Sequence, residues 1–428
     1  MNGHRIREAV LDQKEERERI LRGLKVVERE ALEHWSRFVD ADIIKVATGV
    51  RRSGKTVFSH LLLRGKDAAF VNFDDERLAF LGKDDLNDVL RALYEIYGDF
   101  RYLLLDEVQN IEGWELFVSR LQRNGMNILV TGSNARLLSR EFSTYLTGRH
   151  IRMEVYPFSF REFLLFRGLS FRVPDTRSSA LLIGALRDYM DTGGFPEVVK
   201  SPDIRNAYLS SLYSSIISRD IVARHRIRFT KTFRELSLTV LSNFSRMVSY
   251  NKLKNTHGMK SVHTAKNYME HLEEAYLIFT LEKYSPKPKE VVNSPRKVYA
   301  IDTGLIKSLS LSPGEDTGLL MENIVFLELL RKKAVTGGME IFYHRDAAGR
   351  EVDFLIKSGR RIEELIQVTM ASGRDEIERR EINALLRAYE MMGCKNMRII
   401  TWDYEGKIEV NGVTISAIPL WKWLYFGG

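Results

Sequence analysis

Short apolar runs punctuate the first third of the chain, at residues 43–48, 68–73, 102–105 and 127–131, and stretches of helical period, one at 57–63, separate them. Runs of this length bounded by polar turns predict strands buried on both faces. Strands alternating with helices predict a parallel sheet covered on both sides. Ahead of them, residues 5–34 are dense in Glu, Arg and Leu at helical spacing, which predicts one charged helix leading into the first domain.

The pattern changes after about residue 155. Tyr156-Pro157-Phe158-Ser159-Phe160 marks a turn, helical segments continue to about 245, and Thr192-Gly193-Gly194-Phe195-Pro196 interrupts them. Residues 231–300 predict a helix–turn–helix followed by two strands. From Glu322 a helix precedes strands at 340–344, 351–356 and 364–368, then a helix at 375–392 and a strand at 397–401. The expected fold class is α/β: a parallel sheet with helices on both faces, a helical region, a helix–turn–helix with two strands, and a second α/β domain. The expected divisions are 1–160, 161–230, 231–310 and 311–428.

The first strand runs into Gly49-Val50-Arg51-Arg52-Ser53-Gly54-Lys55-Thr56, and a helix follows. That spacing has a mechanical reason. The two glycines let the backbone curl so that successive N–H groups point inward at phosphate oxygens, and the helix adds its positive end. Lys55 is expected on the β- and γ-phosphates and Thr56 on Mg²⁺. The strand Tyr102-Leu103-Leu104-Leu105 ends in Asp106-Glu107, which puts two carboxylates where an open α/β sheet binds ligands. Asp106 is expected to hold Mg²⁺ through water. Glu107 is expected to orient and deprotonate the attacking water.

The next strand ends in Thr131-Gly132-Ser133-Asn134. Asn134 or Ser133 is placed to reach between water and phosphate, and a polar turn capping the next helix fits those residues equally. Arg149, in Leu146-Thr147-Gly148-Arg149, is a candidate arginine finger acting in cis or from a neighbouring subunit; a structural salt bridge explains it as well. Asp74, Asp75 and Glu76 follow the second strand on the same edge, where contact with Mg²⁺ or sugar is one reading and exposed loop acids the simpler one.

Taken together, GVRRSGKT, VNFDDERL, LLLDEVQNIEGWE, VTGSNARLL, LTGRH, YPFSFREF, GGFPEVV, ENIVFLELL, EVDFLI and LIQVT resemble the archaeal and bacterial AAA+-like P-loop ATPases that carry a C-terminal domain of unknown function. The resemblance covers nearly the whole chain. It implies a P-loop AAA+-like ATPase core with its N-terminal helix at 1–160, a helical lid or linker at 161–230, a winged helix at 231–310 and a restriction-nuclease-like α/β domain at 311–428, and the expectation of ATP over GTP rests on it.

Within 231–300, helices are expected at 231–246, 250–256 and 261–275, with Ser261 as an N-cap. Lys260, His263 and Lys266 then face outward near the N-terminal end of the third helix, the end that meets base edges in helix-turn-helix proteins. Strands at 277–284 and 297–300 would form a wing whose loop carries Lys283, Lys287, Lys289, Arg296 and Lys297 against Glu290. A lid or protein-contact module explains the same pattern. In the last domain Glu322 and Asp353 stand where a restriction-type nuclease places its first two acids. The third element reads Gln367-Val368-Thr369 in place of Glu-x-Lys, so metal-dependent cleavage is not expected.

Composition adds bounds. The chain has 428 residues, enough for two to four domains at roughly 100–200 residues each. Its net charge of +8 favours an acidic partner, with DNA or a protein as candidates and an oligomer possible. No long uncharged apolar run or leader-like segment occurs, so no membrane partner and a cytoplasmic address are expected. Cys394 is the sole cysteine, and the nine histidines show no zinc spacing. An ATP-driven switch is the leading expectation. A nucleotide-gated binding module with little turnover, or an ATPase coupled to a working nuclease, are the alternatives.

Overall fold

A computed structural model describes residues 2–23, 26–133, 148–172, 175–309 and 316–427. The chain forms two compact units, Met1–Pro157 and Phe158–Gly428.

The first unit is built on five parallel strands: β1 (Ile44–Thr48), β2 (Ala68–Asn72), β3 (Tyr102–Asp106), β4 (Asn127–Gly132) and β5 (His150–Glu154). Their order is β2-β3-β4-β1-β5, so β4 lies between the strand that enters the phosphate loop and the strand that ends in acids. Alternate residues feed two cores. Leu103, Leu105, Val46 and Val130 pack under the helices Asn2–Gly23, Leu86–Tyr97 and Trp114–Arg123. Leu104, Ala47, Phe70 and Leu129 pack against Trp35, Phe58 and Leu62. Burial on both faces is why these strands read as unbroken apolar runs.

Two expectations need correction. The predicted helix over 5–34 is not continuous: helices span Asn2–Gly23 and Ala31–Ser36, and residues 26–29 between them are not helical. Val26 and Val27 are β-branched and poor in helices. Arg29 turns its guanidinium onto the carbonyls of Ser53, at 3.1 Å, and Tyr156, which ties this connection to the phosphate loop. The sheet also has a fifth strand that the apolar pattern did not reveal. β5 is an edge strand, His-Ile-Arg-Met-Glu, with only Met153 buried, so it never forms an apolar run.

The second unit opens with Ser159 capping the helix Phe160–Phe166. Its Oγ accepts from Glu162 N at 3.1 Å, and Glu162 Oε2 accepts from Ser159 N at 3.0 Å. The interruption at 192–196 marks a close crossing. A Cβ at Gly194 would collide with the carbonyl oxygen of Phe158, while Gly194 N donates to buried Asp302 at 2.6 Å. Farther on, the helix Arg205–Ser215 runs into a π-helix, Ile216–Ala223.

Three helices, Thr230–Ser242, Tyr250–Thr256 and Val262–Glu274, then pack with a three-stranded antiparallel sheet. Its strands β6 (Arg246–Val248), β7 (Ile278–Leu281) and β8 (Arg296–Ala300) lie in the order β6-β8-β7. The expected basic loop between β7 and β8 contains a short helix, Pro288–Asn293, started by a proline at its first turn.

The remainder is a six-stranded mixed sheet of β9 (Met339–Arg345), β10 (Glu351–Ser358), β11 (Arg361–Val368), β12 (Met397–Thr401), β13 (Gly406–Val410) and β14 (Val413–Pro419), ordered β13-β14-β12-β11-β10-β9. The helices Thr317–Val335 and Arg379–Met392 pack on it. No helix among the described residues is long and apolar enough to cross a membrane.

Candidate active site

β1 delivers the chain to Gly49, where a Cβ would collide with the carbonyl oxygen of Val155, so only glycine fits. Arg52 takes a left-handed conformation (φ 67°) at the crest of the loop, and left-handed Gly54 precedes the helix Lys55–Leu62. The loop thus wraps the N-terminus of that helix. Lys55 is buried, and its Nζ donates to the carbonyls of Gly49 (3.3 Å) and Val50 (3.1 Å). Buried Ser53 leaves its Oγ without a hydrogen-bond partner among the described residues. Arg51 reaches out to Asp74 at 3.2 Å.

Opposite the loop, Thr56 Oγ1 donates to Asp106 Oδ2 at 2.8 Å. The other oxygen of Asp106 accepts from Thr131 Oγ1, and that same hydroxyl accepts from Glu107 N at 3.1 Å. Burial, and then the neighbouring Glu107 carboxylate, push the Asp106 carboxyl up to about 6 against the pull of the two threonines. Glu107 sits in the left-handed region (φ 50°, ψ 43°), a strained conformation for a side-chain-bearing residue. The turn brings its Oε1 to 3.8 Å from Lys55 Nζ, while Gln109 donates to Oε2.

The structure therefore gathers Gly49, Val50, Arg51, Arg52, Ser53, Gly54, Lys55, Thr56, Asp106 and Glu107 at one edge of the sheet. Thr131 belongs with them, although the sequence drew attention to the residues after it. Ser133 is buried, with its Oγ unpartnered among the described residues, and Asn134 lies outside them. Arg149 is elsewhere. It precedes β5, and the pairing of Ile44 with His150 puts it at the N-terminal edge of the sheet, a whole strand away from the loop. A five-residue strand spans about 16 Å, beyond the reach of one arginine, so the finger in cis is excluded. Asp75 is structural: it accepts from Arg77 N at 3.0 Å and from Gln13 Nε2 at 2.8 Å.

A second polar cluster lies in the other unit. Lys297, expected on an exposed wing, is instead buried: β8 is covered on both faces from Lys297 to Ala300, and Lys297 shares the face that meets Glu322 with Tyr299. Its ammonium lies 2.8 Å from Glu322 Oε1, 3.0 Å from Asp353 Oδ1 and 2.7 Å from Glu351 Oε1. Burial disfavours the ammonium, but Asp353 and Glu322 outweigh it and hold Lys297 well above the usual lysine value. Tyr299 donates to Glu322 at 2.6 Å, and the next residue, Asn323, pairs through both its amide atoms with the backbone of Ala300. Asp353 Oδ2 accepts from Val368 N at 3.0 Å. Gln367 is buried in the adjoining strand with Oε1 unpartnered among the described residues, and burial pushes Glu381 up to about 7. Sequence spacing could not find Lys297, Tyr299 or Glu381, because two distant elements, β8 and the helix Arg379–Met392, bring them to Glu322 and Asp353.

Lys260, His263 and Lys266 are exposed near the start of the helix Val262–Glu274, whose N-cap Ser261 accepts from His263 N at 3.1 Å. Lys266 pairs with Glu270 at 3.7 Å, and Lys287 with Glu290 at 3.1 Å. Lys289 is exposed, and Arg296 pairs with Glu282 at 2.7 Å. A groove of about 1430 Å³ runs between Lys283, Lys287, Arg345, Arg360, Arg361 and Lys395, with the acids Glu290, Asp346 and Glu363 also on its walls.

A phosphate loop facing a buried acid, with a further strand between the two strands that carry them, defines a P-loop nucleotide-binding ATPase domain. The chain belongs to the AAA-domain ATPases that carry a C-terminal DUF4143 domain. Residues 42–164 match the family described as an AAA domain, 183–316 a domain of unknown function (DUF8612), and 317–423 another (DUF4143). An uncharacterized protein of Methanocaldococcus jannaschii, MJ1544, is 36% identical over 398 residues, covering 89% of this chain and 88% of its own. An uncharacterized protein of Haemophilus influenzae is 29% identical over 408 residues, covering 91% and 96%. Among solved structures, the Walker-type ATPase PABY2304 of Pyrococcus abyssi matches with a TM-score of 0.43 at 15% identity, covering 66% of this chain and 96% of that one.

Proposed function

We propose that the protein hydrolyses ATP with Mg²⁺ and uses the cycle to change its hold on DNA or a protein partner. The bond from Thr56 to Asp106 carries the reading: it joins the loop to the acid strand where a phosphate-bound cation would sit. The donor set fits such an ion, with a hydroxyl and a buried carboxylate whose affinity for a proton is raised by burial and by the neighbouring Glu107. Bound Mg²⁺ would neutralise charge on the β- and γ-phosphate oxygens. Lys55 would exchange its loop carbonyls for phosphate oxygens. Glu107, aimed back across the loop, would orient water and take its proton, and Thr131 would keep both acids in register. Ser133 or Asn134 would contact that water, and Arg149 would serve a neighbouring subunit.

The test is phosphate release by the purified full chain. Lys55→Ala is expected to abolish nucleotide binding, and Glu107→Gln to retain binding but lower turnover at least a hundredfold. Turnover unchanged in both variants would leave a nucleotide-gated binding protein in place of a switch enzyme.

For the second unit we propose a helical lid or linker at 161–230, a winged helix at 231–310 and a nuclease-like fold at 311–428 that does not cleave. The topology of three helices with strands β6, β7 and β8 supports the winged helix. The ammonium of Lys297, within 3.0 Å of three carboxylates, supports the loss of cleavage by standing where a metal ion would balance them. Robust cleavage of DNA with Mn²⁺, lost in Asp353→Ala, would overturn that. The basic groove supports a polyanion, with Lys260, His263, Lys266, Lys287 and Lys289 as the contacts outside or at its rim. Duplex binding is expected to fall steeply with salt and to weaken on charge reversal at Lys287 and Lys289. No binding at low salt would leave a protein partner.

A further inference from the structure

His225, His271 and Glu274 have no part in either site. His225 closes the helical run that follows the π-helix Ile216–Ala223, just before left-handed Arg226. His271 and Glu274 lie three residues apart in the last turns of the helix Val262–Glu274, which places both on one face. Across the gap, Nε2 of His225 is 3.3 Å and Nδ1 of His271 is 3.6 Å from Oε2 of Glu274. All three donor atoms lie within 4.8 Å of one another. The two imidazoles stack with centroids 3.8 Å apart.

We propose that these three side chains form a binding site for a transition-metal cation of the Zn²⁺ class. The two ring nitrogens are buried and neither makes a hydrogen bond among the described residues, although a carboxylate oxygen is beside both. An ordinary histidine–glutamate pair would turn an N–H onto that oxygen. Two ring nitrogens converging on a carboxylate oxygen without hydrogen-bond geometry of their own are arranged instead like ligands around one ion. In a tetrahedral site with bonds of about 2.0–2.2 Å, neighbouring donors stand roughly 3.3–3.5 Å apart. The observed separations approach that, and a rotation of the stacked rings would bring both lone pairs onto the ion. Two imidazoles and one carboxylate suit Zn²⁺, Co²⁺ or Ni²⁺ and not Mg²⁺, which takes oxygen donors. Three protein ligands leave a fourth position for water or another donor. The ion would staple the segment ending at His225 to the end of the helix that carries His263 and Lys266 near its start. π-Helices recur at functional sites, and this one sets the phase in which His225 arrives.

The experiment uses the full chain without an affinity tag, stripped with chelator and titrated with Co²⁺ and Zn²⁺. One equivalent of Co²⁺ is expected to bind with the intense visible absorption of tetrahedral coordination, and Zn²⁺ to displace it while millimolar Mg²⁺ does not. Zn²⁺ is also expected to raise the melting temperature of the unaltered protein. His271→Gln and Glu274→Gln are expected to weaken Co²⁺ at least tenfold, and His4→Gln, at an exposed histidine, to leave it unchanged. Melting of the metal-free variants checks their fold. No Co²⁺ spectrum and no Zn²⁺-dependent melting shift in the unaltered chain would overturn the site, as would equal uptake by a folded Glu274→Gln variant.

Discussion

Thr56 and Asp106, fifty residues apart, are joined by a hydrogen bond of 2.8 Å that closes the phosphate loop onto the acid-bearing strand. The carboxyl that receives it is buried and held at about 6, some two units above an ordinary aspartate.

That elevation sets a sign for pH. A carboxyl harder to ionise in the fold favours the native state when protonated. Its contribution is present below the unfolded value of about 3.9 and is lost as pH rises through about 6. Above that, without a cation, ionised Asp106 costs up to about 3 kcal/mol. Asp106→Asn is therefore expected to raise the metal-free melting temperature at pH 7–8, and to abolish Mg²⁺-dependent hydrolysis. Mg²⁺ affinity is expected to fall about tenfold per pH unit below 6. Calorimetry and metal titration across this range measure both.

His60 works in the other direction. It lies buried in the helix after the loop, edge-on to Phe70, and burial, then Arg17, push its imidazole down to about 3. A base kept neutral in the fold contributes stability that is complete above about 6.5. Falling pH removes it at up to about 1.4 kcal/mol per unit until about 3. His60→Leu is expected to flatten that part of the profile. An unchanged slope between pH 6.5 and 4 in denaturant melts would mean that His60 takes up its proton inside the fold.

Lys297 balances carboxylates that have no other cation within hydrogen-bond reach among the described residues. Lys297→Met is expected to destabilise the second unit by about 3–5 kcal/mol, since it strands buried charge. Adding Glu322→Gln and Asp353→Asn should recover much of that loss. Failure of the triple variant to recover would place the defect in packing. Equilibrium unfolding followed in the second unit reads the difference.

Gly49 has no room for a side chain. Gly49→Ala is expected to push the loop off the carbonyl of Val155, costing about 1–3 kcal/mol and most of the nucleotide affinity. A fluorescent nucleotide titration with a melting curve separates the two effects.

Local pattern was informative wherever burial was two-sided or spacing was short. Strands β1 to β4, the loop and Asp106-Glu107 were legible because apolar runs and an eight-residue motif carry them. β5 was not, because only Met153 of its five residues is buried and no run forms. The length of the first helix was overstated, because Glu, Arg and Leu keep a helical period on both sides of a break that Arg29 stabilises from afar. Lys297 was misread as a wing residue because charge in a sequence looks solvated until its partners are known. His225 and His271 show no local ligand spacing, since forty-six positions separate them.

By itself the sequence determined the chemistry of the first unit: a backbone curl that grips phosphate and two acids at a strand end, all of it written in contiguous residues because each part spans one turn or one strand. Only the tertiary structure decided which edge each side chain faces. It carried Arg149 a strand's length from the loop, turned Lys297 into a nest of carboxylates, and set His225 against His271. Those outcomes depend on strand alternation and on packing between distant elements, and neither leaves a signature in a short window of residues.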